Sequence, residues 1–115
     1  MNYEDRRKHI RVNCLIQALL KYASGDSSAV AMASVVDISE GGVRLKFQEP
    51  LVHSDNVTLS LKVSQRETIE TEIEPLWSRI DPTSGQYHVG ARFVDIQPRD
   101  QGLIEKFVTE KLNSF

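Results

Sequence analysis

Four of the chain's fourteen lysines and arginines, Arg6, Arg7, Lys8 and Arg11, fall in its first eleven positions, and Arg7 and Arg11 stand four apart. A guanidinium is planar and offers two parallel N–H groups, so it can grip two phosphate oxygens or the O6 and N7 edge of a guanine, and its face can stack on a base. A guanine nucleotide suits such a pair, although the cluster alone also fits a solubilising tail. The second group with chemistry to offer is Asp37-Ile38-Ser39-Glu40-Gly41-Gly42. An aspartate can accept from the N1 and N2 donors of a guanine, a serine hydroxyl can add a bond, and glycines permit positive φ and a close ligand approach. Taken alone, Asp and Ser beside Gly-Gly is also common hairpin-turn composition.

Both groups need a frame, and period-two alternation supplies it. Val57, Leu59, Leu61 and Val63 share one face, as do Val43, Leu45 and Phe47, and Tyr87, Val89, Ala91 and Phe93. Val12, Ile16, Ala18, Leu20 and Tyr22 share a parity blurred by Leu15 and Leu19, and Val30, Met32, Val36 and Ile38 are assigned to the core face of the next strand. Ile69, Thr71, Ile73, Pro75 and Trp77 lie opposite Glu70, Glu72 and Glu74. Turn signals separate these stretches at Ser24-Gly25-Asp26-Ser27, Glu40-Gly41-Gly42, Ser54-Asp55-Asn56 and Asp81-Pro82-Thr83-Ser84-Gly85. Connections this short favour antiparallel neighbours, and strands with one apolar face must close or stack to hide it, which predicts a small barrel in preference to a sandwich. After Ile96 the period changes. Pro98 opens a helix over about 98–112 with Leu103, Ile104, Phe107, Val108 and Leu112 as its apolar stripe, placed to cap an open barrel end or, alternatively, to bind a partner. The 115 residues therefore read as a basic arm over 1–11 and a single domain over 12–115.

Several function classes lack their residues. His9, His53 and His88 are scattered without metal-ligand spacing, and neither a nucleophile elbow nor a phosphate-cradling glycine loop is present, so an enzyme or a metal site is not expected. Glu70, Glu72 and Glu74 at period two read as a solvated face, and Trp77 as a core or barrel-end residue with no ligand role. Cys14 is the only cysteine, which rules out an internal disulfide. The charged start and the want of any apolar run near the ~20 residues of a membrane span point to a cytoplasmic protein without membrane insertion. A nucleic-acid-binding small barrel is a second class to weigh. A net charge of -2, 7% aromatic residues and the glutamate row stand against it.

The two motifs, in this order, resemble the PilZ domain family, whose pattern is an RxxxR pair in a flexible N-terminal segment followed by an Asp/Asn-x-Ser-x-x-Gly turn. Arg7, Arg11, Asp37, Ser39 and Gly42 fit it, and the likeness continues through Trp77 in Pro-Leu-Trp-Ser-Arg and through Gly90-Ala91-Arg92-Phe93. The resemblance implies a mainly β fold, a six-stranded antiparallel β-barrel with a C-terminal α-helix. It also implies a receptor that binds cyclic di-GMP between arm and barrel, without catalysis and without a cofactor. By carry-over, Arg7 and Arg11 would grip phosphates and guanine edges, Asp37 and Ser39 would hold a guanine from the barrel side, and Gly42 would keep the turn tight. Arg6 stands where an arginine accompanies binding of two stacked ligand molecules, which implies two per chain. The arm, flexible while empty, would order around the ligand and alter the surface shown to an unidentified protein partner. The alternative is a PilZ-like adaptor that has lost ligand binding, and the intact motif residues oppose it. A homodimer is left open by the sequence, through the helix or a strand edge.

Overall fold

The computed structural model describes residues 10–24, 26–51 and 56–113. In chain order it contains strands β1 (Val12–Ser24), β2 (Ser27–Ile38), β3 (Gly42–Phe47), β4 (Val57–Lys62), β5 (Thr68–Ile80) and β6 (Tyr87–Val94), then helix α1 (Pro98–Leu112). All pairings are antiparallel, and the sheet closes on itself in the order β1-β2-β3-β6-β5-β4. Closure hides the apolar faces and gives every strand a neighbour on both sides, although β1 meets β4 only over Ala18–Leu61 to Lys21–Thr58. Alternation does place the core as expected along β3, β4 and β6: Val43, Leu45, Phe47, Val57, Leu59, Leu61, Val89, Ala91 and Phe93 are all buried. The Tyr22 ring meets Phe47 edge-on with centroids 5.3 Å apart, and its hydroxyl donates to Glu49 at 3.3 Å.

Three register shifts interrupt the ladders, between Asn13 and Ile16 in β1, between Val35 and Asp37 in β2, and between Pro75 and Trp77 in β5. A bulge inserts one extra residue, and because the side-chain period is two, everything beyond it changes face. In β2 the inward residues are Ala29, Ala31, Ala33 and Val35 up to the bulge and Ile38 after it. Val30 and Met32, which simple alternation from Ile38 puts in the core, are instead 61% and 55% exposed. In β5, Ile69, Ile73 and Pro75 are buried, whereas Trp77, on the same parity, is 37% exposed on the outer face. The core position expected for Trp77 is therefore corrected. The cause is the same in both strands.

The helix starts with Pro98 in its first turn, where a missing N–H costs nothing, and Gln97 caps it without a side-chain bond. It packs on β1 and β5, the strands that flank β4, and Ile104 and Val108 complete the core at that end of the barrel. Leu112, the last residue of the expected stripe, is exposed, and Asp100 is buried in its stead with Arg99 at 2.8 Å. Gln101 donates to the Glu40 carbonyl at 3.5 Å, which ties the first turn of the helix to the loop between β2 and β3. Among the described residues, no helix is long and apolar enough to cross a membrane.

Candidate functional site

The two bulges have a joint effect on one row of the barrel's outer surface. Asp37 pairs with Arg44, Arg44 with Gly90, and Gly90 with Trp77, so these residues form a continuous row across β2, β3, β6 and β5. At about 4.8 Å per strand the row is roughly 14 Å long. Were alternation unbroken through Val36 and Leu76, Asp37 and Trp77 would share the parity of Val35 and Pro75 and point inward. A carboxylate and an indole are thus brought out to opposite ends of a shelf. Between them, Gly90 is a notch: a Cβ there would run into the Trp77 ring, so the absence of a side chain is what lets the indole lie down on β6.

Asp37 is only 5% exposed, and its Oδ2 lies 2.9 Å from Arg44 Nε. That N–H is not aimed at the carboxylate and makes no hydrogen bond, so the contact is ionic and leaves a buried donor unused. Ser39 organises the turn beside it. Its hydroxyl accepts from the Gly41 N–H at 3.2 Å and lies 3.5 Å from the Gly42 carbonyl, which also accepts from the Ser39 N–H at 2.9 Å. The Phe93 N–H donates to the Gly41 carbonyl at 3.0 Å, which pins the turn to β6. Gly42 has no positive φ. Its role is spatial, since a Cβ would overlap the Ala91 carbonyl and push β3 off β6.

An open cleft of about 410 Å³ lies along this row. Arg11, Asp37, Ser39 and Gly42 all line it, although they come from the residue before β1, from β2, from the turn and from β3. Arg6 and Arg7 lie outside the described residues. Sequence reasoning missed Arg44, Trp77, Gly90 and Arg92 as lining residues. The signal for Gly90 was present, because a glycine inside a strand marks a bulge or the close approach of another group. The cations are unevenly committed: Arg92 is paired with Glu74, and Arg44 with Asp37. Arg11 is exposed at the rim. Cys14, whose Sγ donates to the Val35 carbonyl at 3.6 Å, is half-buried, and burial pushes its thiol up to about 11, so it is neutral and unreactive at neutral pH. Among the described residues no cluster of His, Cys, Asp and Glu could hold a metal ion.

A family model, the PilZ domain, matches residues 5–110. The chain belongs to the PilZ domain family. No curated protein sequence matches it. Among solved structures, the inhibitor of motility MotI/DgrA of Bacillus subtilis superposes with a TM-score of 0.72 at 19% identity, covering 95% of this chain and 53% of that one. MrkH of K. pneumonia in its apo state gives 0.68 at 16% identity, covering 97% and 53%. YcgR of Escherichia coli in complex with c-di-GMP gives 0.63 at 11% identity, covering 91% and 45%. At these identities the likeness is one of fold, and this PilZ chain spans about half the length of each of the three.

Proposed function

We propose that this PilZ domain is a receptor for cyclic di-GMP that acts by binding and performs no reaction of its own. The observation that carries the reading is the convergence of Arg11, Asp37, Ser39 and Gly42, 31 positions apart in sequence from first to last, on a single cleft. Asp37 accepts from the N1 and N2 donors of a guanine through the oxygen turned away from Arg44, and Ser39 adds a bond from the turn it holds. Trp77 supplies a flat apolar face for the base at the other end of the row. Arg11 takes a phosphodiester at the rim, joined by Arg7 and Arg6, since four residues of extended chain reach about 13 Å and so span most of the shelf. Some structural neighbours carry this ligand, YcgR and MrkH among them, which supports the assignment.

Ordering the arm over a bound dinucleotide would replace a repelling cluster of positive charge by a neutralised surface, and this is the change a protein partner would read. The single cysteine fits a cytoplasmic setting for such a relay. Calorimetric titration with cyclic di-GMP tests the reading, with GTP as control. Hydrogen bonds to a charged group contribute about 1.5–3 kcal/mol, so Asp37→Ala and Arg11→Ala should each weaken binding by roughly 10- to 100-fold with the fold intact. A folded wild-type protein that produces no binding heat would overturn the receptor and leave the adaptor, which works through protein contacts alone.

A further inference from the structure

On the other side of the Arg44–Gly90–Trp77 row from Gly42 and Arg92, the outer surface opens into a second basin of about 360 Å³. It shares Arg44 and Trp77 with the first cleft and adds Arg79, Asp81 and His88, so the indole is a wall between two compartments of one groove. The next outward row of the sheet runs Lys46–His88–Arg79, because Lys46 pairs with His88 and His88 with Arg79. At about 4.8 Å per strand, this row brings a lysine, an imidazole and a guanidinium within roughly 10 Å, about 7 Å from the Arg44–Gly90–Trp77 row. Such a concentration of donors and positive charge is costly without an anion to meet it. Asp81 meets it in part: its Oδ2 lies 3.6 Å from His88 Nε2, while its other oxygen accepts from the Thr83 N–H at 2.9 Å. The remaining groups are turned to other uses or left over. Arg79 lies over the Trp77 ring, 5.3 Å from its centroid, and His88 Nδ1 and Arg44 Nε are buried without hydrogen-bond partners.

We propose that this basin is a second phosphate-binding subsite, in which Lys46, His88 and Arg79 hold a phosphodiester of a guanine dinucleotide whose base lies against Trp77. It rests on the reading of the first cleft as a cyclic di-GMP site and extends it to residues outside both sequence motifs. The phosphodiester has two sources, the far phosphate of the molecule held by Asp37 and Arg11, or a phosphate of a second molecule stacked beside it. Phosphate is recognised in the same way in either case: Lys46 as a point charge, Arg79 by its planar fork, His88 by a ring N–H.

Titration of the full chain with cyclic di-GMP, comparing wild type with the double variant Lys46→Gln/Arg79→Gln, decides the matter. The control is Lys62→Gln/Arg66→Gln, which removes the same charge from the β4–β5 side, and thermal unfolding checks that both variants fold. Weakening of about tenfold or more at unchanged stoichiometry assigns the subsite to the far phosphate of one molecule. A fall from two ligands per chain to one assigns it to a second molecule. A double variant that binds like the control, in both affinity and stoichiometry, overturns the subsite and leaves the first cleft untouched. Absence of binding in the wild type is a different failure, because it removes the receptor reading itself.

Discussion

At Gly42 and Gly90 the same missing atom does two different jobs. A Cβ at Gly42 would meet the backbone carbonyl of Ala91, which cannot move without separating β3 from β6; at Gly90 it would meet the ring of Trp77, which is partly exposed and can swing away. Gly42→Ala should therefore lower stability by about 1–3 kcal/mol, the usual cost of forcing an extra carbon into a packed place, and be seen as a drop in the thermal midpoint. Gly90→Ala should leave the midpoint within a few degrees but weaken cyclic di-GMP binding by about tenfold, because a displaced indole no longer offers its face to a base. Equal effects of the two substitutions on stability would show that Trp77 is as fixed as the backbone. Asp37 illustrates another aspect of this scale. Its burial beside Arg44 keeps a charge in a place that only another charge or a polar ligand can satisfy.

Among the elements, the bulges of β2 and β5 decide what the site contains. They let Val35 and Ile38 both be fully buried in β2, three positions apart, while Asp37 between them faces Arg44 outside. This is where reading the sequence stopped short. Six strands, antiparallel neighbours, a small barrel and the terminal helix follow from alternation and turn chemistry, which are local patterns, whereas the order of closure rests on pairings such as β1 with β4 and β3 with β6 that no local pattern specifies. A bulge leaves no mark in hydropathy. Plain alternation consequently puts Val30, Met32 and Trp77 on the inner face, whereas the structure has all three outside. The motif residues Arg11, Asp37, Ser39 and Gly42 were legible as a set through the spacing of the two motifs, whereas Arg44, Gly90 and Arg92 enter the cleft only through register. The face assignment in β2 is open to a direct check by denaturant unfolding. Ile38→Ala should cost about 2–5 kcal/mol, and Met32→Lys should stay within about 0.5 kcal/mol of the wild type. A large loss from Met32→Lys would place that side chain in the core and refute the bulge.

On the scale of the whole molecule, a net charge of -2 conceals two separated surfaces. Glu70 and Glu72 pair across to Ser60 and Thr58 of β4, while Arg44, Lys46, His88 and Arg79 gather where β3, β6 and β5 adjoin. The basic shelf is a few strands wide, the scale of a dinucleotide rather than of a long nucleic-acid groove lined with aromatic platforms. One end of it carries the chain's single tryptophan, so the protein contains its own reporter. Titration of Trp77 fluorescence with cyclic di-GMP is the most direct test of the account. A saturable change with the wild type, absent with GTP and strongly weakened in Asp37→Ala, is the predicted result. Calorimetrically verified binding that leaves Trp77 emission unchanged would place the ligand elsewhere on the barrel and contradict the site described above.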